Sequence, residues 1–513
     1  MAVSKDRKFT GKYVYTLLES VKGKTLGEVD KSRQFDRTIS NPKITGIAGD
    51  VVEQSVFGYE RDSKQECDIE IDGLLTELKT TGVRVPKSLV KKAFGKTGEE
   101  YNIYLRAKEG ISVTGVTFEP NIQTEFDTSH FWEKAKRILI VFYEYKSYEV
   151  VPASEYARFP IVDYCYNTFS ENERMQLMND WNLVSSYLQD VYSKYPNPKE
   201  RNAQLVGFTH KLRPNLLLIE LVPGFKQREN GSYQKPRYRL KQTFIDYIVR
   251  GHFDKSRVKE EIKLYEPFNS FAQLDERCRA ITKKYKGKNL AQLKEELEIS
   301  TDIAIKNFTS ECVVKMFGAP CKKINQISDF QKVGIIAKTI TITPKGDRTE
   351  DMKLKAIDFE EWADRNVEFE ASDVYDYFCE HSFLCPIFCE HDSKDDSKTT
   401  FEGFKRFAFD EQFLKEEVYR TWSDTRKLIH DNTLKWEYSL DEKGNKRVNK
   451  SGAYIGAPNF PKSRSYIVFL RGGALRSTDA DRTECVNGIK MLPQFFWIKG
   501  SYVAEKLKNI PFI

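Results

Sequence analysis

"CDIEIDGLLTELKTT", Cys67 to Thr81, holds two short runs of alternating apolar residues joined by Asp72-Gly73. Alternation with period two predicts half-buried strands, and Asp-Gly is the preferred pair for a two-residue type I′ turn. Counting outward from that turn sets Ile71 opposite Leu74, Glu70 opposite Leu75, Ile69 opposite Thr76 and Asp68 opposite Glu77. Lys79, two residues beyond Glu77, lies on the same face. One face of one hairpin therefore presents Asp68, Glu77 and Lys79. Hard divalent cations such as Mg2+ are bound through one or two carboxylates together with phosphate oxygens, and a lysine beside them can orient water or stabilise charge on phosphate. The same residue types also decorate the solvent faces of ordinary hairpins, so the pattern needs a control.

The chain supplies one by repeating itself. "LLESVKGKTLGEV" (Leu17–Val29) is echoed by "ITKKYKGKNLAQL" (Ile281–Leu293), "GDVVEQSVFG" (Gly49–Gly58) by "SECVVKMFG" (Ser310–Gly318), and "LLTELKTTGVRVPK" (Leu74–Lys87) by "VGIIAKTITITPK" (Val333–Lys345). "RILIVFYEY" (Arg137–Tyr145) has a weaker echo in "SFLCPIFCEH" (Ser382–His391), "DWNLVSSYLQD" in "TWSDTRKLIHD", and "RYRLKQTFIDYIV" in "FFWIKGSYVAEKL". The segments recur in one order, which predicts two copies of one mixed α/β domain. The differences are the control. Glu53 is matched by Lys315, Glu77 by Ile336 and Lys79 by Lys338, Lys134 aligns near Cys379, and nothing replaces Asp68 in register, Asp329 being the nearest acid. The carboxylates disappear from the second copy while its apolar framework stays, the pattern of a working site in one copy and a lost one in the other.

Five hundred and thirteen residues, 40% hydrophobic and 31% charged, read as a multidomain globular chain, and its net charge of +7 permits nucleic-acid binding. The nine cysteines include no C-x-x-C pair, so reduced thiols in a cytoplasmic protein are expected rather than a disulfide framework or a zinc site. No apolar run of membrane-spanning length and no signal-peptide pattern is seen, which argues against membrane and secreted classes.

With these residues in view, the chain resembles the MutH/Sau-type family of GATC-cutting nucleases within the PD-(D/E)xK superfamily. It is most similar to the Sau-type restriction endonucleases, which carry a second, inactive MutH-like domain. The resemblance rests on "GDVVEQSVFG", "CDIEIDGLLTELKTT", "DTSHFWEKAKRILIVFYEY" and "RYRLKQTF". It implies two tandem restriction-endonuclease-like domains, each a mixed sheet flanked by helices. These are a catalytic domain over residues 1–252, a linker over 253–279, and a DNA-binding effector domain over 280–513 without the acidic site. It places metal-binding acids at Asp68 and Glu77, a supporting acid at Glu53, the motif lysine at Lys79 and a second active-site lysine at Lys134. Cys67 stands where the family has proline, and the Asp-to-Glu spacing is two residues longer than usual. Strict counting would choose Glu70, whereas the hairpin register favours Asp68; Asp72 is used by the turn.

For DNA contact the resemblance implies Arg213 and Asn215 of "FTHKLRPN" and Lys241 of "RYRLKQTF". In the second copy Arg471 and Arg476 of "FLRGGALR" take the place of Arg213. Asn215 stands where the family has a lysine. Arginine reads guanine bidentately and asparagine reads adenine, though a phosphate contact or a surface ion pair serves Arg213 equally well. The implied activity is Mg2+-dependent hydrolysis of double-stranded DNA at GATC or a related short site, with dimerisation on DNA and a cognate DNA methyltransferase as partner. A repair-type nickase activated by another protein and a non-catalytic DNA-binding scaffold are the alternatives.

Overall fold

The computed structural model describes residues 7–59, 66–116, 124–148, 151–197, 200–201, 204, 212–222, 236–256, 261–348, 350–448, 452, 454–474 and 478–513. It divides into two compact units. The first comprises residues 1–147, 151–276 and 317–336, the second 148–150, 277–316 and 337–513. Arg476 and the "FTHK" half of "FTHKLRPN" lie outside the described residues.

The opening hairpin organises the first unit. Strands Ile69–Ile71 (β2) and Leu74–Arg84 (β3) pair with Ile69 opposite Thr76, Glu70 opposite Leu75 and Ile71 opposite Leu74, the register expected from the turn. Asp72 (φ 51°) and Gly73 (φ 78°) both take left-handed backbone, as a type I′ turn requires. Lys8–Phe9 (β1) runs parallel to β2. On the other side β3 is parallel to Ile138–Glu144 (β6), with Glu77 beside Ile138 and Lys79 beside Ile140. Ile161–Asn167 (β7) closes the sheet antiparallel to β6, and Arg106–Ala107 (β4) adds to the far end of β3. Residues 138–143 are buried throughout, as expected of a central strand covered on both faces. A second sheet has Arg237–Leu240 (β9) between Ile111–Gly115 (β5) and Ile219–Val222 (β8).

Helices cover the first sheet. Gly11–Val21 is capped by Thr10 and buries Val14, Leu18 and Val21. Ile47–Val51 continues into a π-helical turn, Val52–Phe57, stopped by left-handed Gly58, and Val51, Val52, Val56 and Phe57 join Ile69, Ile71, Leu78, Leu139 and Val141 in one apolar core. The glycine is required there, because a helix ending in left-handed backbone disfavours any residue with a Cβ.

The second unit repeats this plan down to strand register. Strand Ser382–Cys389, buried at every position, runs parallel to Ile340–Ile342 with Thr341 beside Phe388; in the first unit Gly82 stands beside Tyr143. The sequence echo pairs Gly82 with Thr341, so the two observations agree. Leu240 faces both Ile111 and Ile219, and its counterpart Ile498 faces both Met352 and Val468.

The expected linker departs from the sequence reading. Leu264, Phe268, Phe271 and Leu274 are buried and belong to the first unit. Leu264 N donates to Asp329 Oδ2 at 2.8 Å, and Phe268 lies 5.8 Å from Phe330, centroid to centroid. Residues 317–336, assigned by sequence to the second copy, thus pack in the first unit. The cause is apolar burial inside a stretch whose charged residues suggested solvent. None of the nine cysteines forms a disulfide. No helix among the described residues is long and apolar enough to cross a membrane.

Candidate active site

The type I′ turn fixes which acid of β2 meets β3. One step beyond the last β2 pair, Asp68 Oδ2 accepts the Leu78 N–H at 2.9 Å and lies 3.9 Å from Lys79 Nζ. Glu70 belongs elsewhere: its carboxylate pairs with Lys8 Nζ at 3.2 Å. Asp72 accepts the Gly11 N–H at 3.0 Å and ties the turn to the first helix. The hairpin therefore brings Asp68, and neither other acid of the motif, to Glu77 and Lys79.

Glu77 is the centre of the cluster. It is 1% exposed, yet Lys79 Nζ reaches its Oε1 at 2.6 Å and Lys134 Nζ reaches Oε1 at 3.1 Å and Oε2 at 2.9 Å. Lys134 arrives from the short helix His130–Ala135, capped by Ser129, whose hydroxyl accepts the Trp132 N–H. Burial pushes the Glu77 carboxyl above its ordinary pKa; Lys79 and Lys134 pull it back and Asp68 adds to the rise. Burial works against the charge on Lys79, but attraction to Glu77 and Asp68 prevails and its pKa is raised. Two ammonium groups thus neutralise a buried carboxylate, which alone would be costly. Glu53 stands on the neighbouring π-helical turn, close enough for its charge to act on Lys79. His130 sits 3.8 Å from Glu133.

The donor set suits a hard cation. Among the described residues no group of three or more His, Cys, Asp or Glu is assembled as a metal cage. Two carboxylates, Asp68 and Glu77, is the number Mg2+ commonly takes from protein when phosphate and water complete its shell. Cys67, in the family's proline position, directs its Sγ at Glu133 O, and burial and the Glu77 carboxylate push its thiol up to about 11. It is a packed neutral thiol.

The DNA-contact expectations divide. Arg213, Pro214 and Asn215 form a short 3-10 turn; Asn215 is exposed and Arg213 Nε is buried without a hydrogen-bond partner among the described residues. Lys241, expected on the DNA face, is 3% exposed and its ammonium donates to Leu216 O at 2.5 Å. Its place is in the core. Asp180 of helix Glu171–Lys194 accepts the N–H groups of Leu217, Leu218 and Ile219 at 2.8, 2.7 and 2.9 Å. Burial pushes Asp180 up to about 6, against the pull of those N–H groups and of Lys241. Asp180 and Lys241 therefore hold the chain that leads out of Arg213–Asn215. In the sequence Asp180-Trp181 stood out only as part of a repeated segment.

In the second unit Arg471 is half-exposed, bonded to Asp351 at 2.8 Å, with its guanidinium 4.9 Å from the Phe469 ring and 5.0 Å from that of Trp497. Lys338, the counterpart of Lys79, donates to Lys353 O at 2.7 Å. Burial, with repulsion from Lys353 and Arg348, lowers its pKa, opposite to Lys79. Ser372 caps its helix as Ser129 does. Counted from that cap, the place of Lys134 falls on Tyr377, and counted back from the following strand on Cys379. The helix Asp373–Glu380 is two residues longer than His130–Ala135.

Residues 57–180 match the family model described as DNA mismatch repair enzyme MutH. The matched span includes Asp68, Glu77, Lys79 and Lys134 and stops short of Glu53 and Arg213. Over 98% of its length the chain is 23% identical to a type II restriction enzyme, Sau3AI, of Staphylococcus aureus, of which 99% is covered. The hairpin centre, the twofold repetition of the sheets and these likenesses agree: the chain is similar to the MutH/Sau-type nucleases and has a restriction-endonuclease-like fold.

Proposed function

We propose that this protein is a sequence-specific endonuclease of double-stranded DNA that hydrolyses phosphodiester bonds with Mg2+ in a restriction–modification system. The observation that carries the reading is the buried Glu77 carboxylate, held by Lys79 and Lys134 and faced by Asp68 across a hairpin. A divalent cation at Asp68 and Glu77 would supply Lewis-acid charge at the scissile phosphate. Lys79, kept as an ammonium by the two carboxylates, would orient the attacking water, and Lys134 would offset negative charge developing on the phosphate oxygens. Both lysines hold the Glu77 carboxylate, the group that would take the cation.

The full-length likeness to a restriction enzyme, over both units, favours restriction over partner-activated nicking. GATC or a related site is the target this kinship suggests, with Arg213 and Asn215 reading or positioning the duplex. A cognate methyltransferase would protect host DNA, and the cytoplasm is where both would meet it. The second unit, which keeps the sheets and lacks the acids, serves as a DNA-binding effector. With one acidic centre per chain, cutting both strands takes two chains on DNA or two successive nicks.

The test is incubation of the purified chain alone with unmethylated plasmid, with Mg2+ and with chelator. Discrete fragments that appear only with Mg2+, and whose ends share one short sequence, are expected. An inert plasmid would overturn the reading, and nicking only after a second protein is added would favour the repair-type alternative.

A further inference from the structure

The second unit keeps the framework around the first unit's acidic centre and reverses its charge. Counting three residues back along the parallel strands from Gly82 beside Tyr143 reaches Lys79 beside Ile140. The same step from Thr341 beside Phe388 reaches Lys338, whose N–H donates to Leu384 O at 3.0 Å. Lys338 therefore takes the place of Lys79 in structure as well as in sequence. Ser112 lies opposite Arg239 in the first unit and Lys353 opposite Trp497 in the second, each one residue past the matching pairs Ile111–Leu240 and Met352–Ile498. A lysine thus stands where the first unit has serine. In sequence Glu53 gives way to Lys315 and Glu77 to Ile336.

The two lysines meet. Lys338 Nζ donates to Lys353 O at 2.7 Å, which ties the old lysine position to the strand Met352–Ala356. Directly opposed residues of a sheet share a face, and alternate residues return to it. Lys353, Trp497 and Phe469 are therefore on one face with Phe495 and Arg471, a face of cations set among aromatic rings. Lys353 Nζ lies 3.4 Å from the centroid of the Phe495 ring, which holds the ammonium in place. Gly473 makes room for it: a Cβ there would stand 2.6 Å from Lys353 Nζ. Among the described residues neither Lys338 nor Lys353 is paired with a carboxylate. Arg471, half-exposed on the same face, does have one in Asp351. In the first unit a phosphodiester can approach two carboxylates only through a divalent cation. In the second the positive charge is built into the chain, and an ammonium without a counter-ion binds a phosphate oxygen directly.

We infer that Lys353, backed by Lys338, seats a phosphodiester of duplex DNA in the place of the lost hydrolytic centre and without a divalent cation. The inference rests on the reading of the second unit as a DNA-binding effector and names where and how that unit holds the duplex.

The experiment uses the full chain carrying Asp68→Asn, so that DNA is bound and left uncut, and a short duplex bearing the sequence found at the fragment ends. Binding is titrated in Mg2+ and in chelator at several salt concentrations, with and without Lys353→Gln, and melting temperatures check the fold. Two duplexes should bind per chain in Mg2+, and binding should persist in chelator. For the duplex held in chelator, Lys353→Gln should lower the slope of log K against log salt by about one, the share of one phosphate contact. Lys353→Arg, which keeps the charge, should leave the slope unchanged. Should the Lys353→Gln chain not fold, Lys353→Ser, which installs the residue of the first unit, takes its place. Two duplexes in Mg2+ but none in chelator, or a slope that Lys353→Gln does not move, would overturn the phosphate seat and leave the effector reading standing. A chain that takes up one duplex only would overturn both.

Discussion

Glu77 shows what sequence carries at the scale of a residue and where it stops. Its neighbours Asp68 and Lys79 were legible because Asp72-Gly73 leaves one turn type open, and that turn sets the register. Its burial was not, since Lys134 comes from a helix 57 residues further along the chain, and contact at that distance has no local signature. The coupling can be tested. Burial raises the Glu77 carboxyl and Lys134 lowers it, so Lys134→Met removes a downward pull and Glu77 stays protonated to higher pH. A protonated carboxyl holds a cation poorly. The acidic limb of the cleavage profile, measured with DNA in excess and Mg2+ saturating, should move to higher pH, in addition to a lower plateau. An unmoved limb would mean that Glu77 does not govern the rise.

At the scale of an element, alternation and turn chemistry located β2 and β3, and the segments of β6 and of Asp180-Trp181 were marked by their repeats. The use of Asp180 was hidden, because its partners are backbone N–H groups 37 to 39 residues away, which any sequence possesses. The placement of Lys241 failed for a related reason. A lysine after a strand looks like a surface cation until a buried acid and a carbonyl are found beside it. Asp180→Asn should destabilise the first unit by about 3 kcal/mol, since one amide cannot accept three N–H donors and Lys241 loses its counter-charge. Urea unfolding measures this. Lys241→Met should lose less in combination with Asp180→Asn than alone.

At the scale of the molecule, the repeat was legible from the order of six weak echoes, and strand register in both units supports it. The boundaries were less so. Charged residues between 253 and 279 masked the burial of Leu264, Phe268, Phe271 and Leu274, and residues 317–336 pack in the first unit although their sequence echoes the first copy. A unit with sheets but no acids still offers a binding surface, and linking two binding modules raises the local concentration of the second site. If binding there favours the active arrangement of the first unit, initial rates on a plasmid with two sites should exceed those on a matched one-site plasmid. Short cognate duplex added in trans should narrow the gap, and Arg471→Ala should reduce it. Equal rates on both plasmids, indifferent to added duplex, would leave the second unit a structural role.

The central claim is that the hairpin register, and not motif spacing, selects the acid that works with Glu77. Asp68→Asn and Glu70→Gln, assayed side by side for plasmid cleavage in Mg2+ and for duplex binding, test it directly. Asp68→Asn should bind DNA and leave it uncut, while Glu70→Gln, whose partner is Lys8, should cut at close to the wild-type rate. Normal cutting by Asp68→Asn together with an inactive, folded and DNA-binding Glu70→Gln would contradict the account.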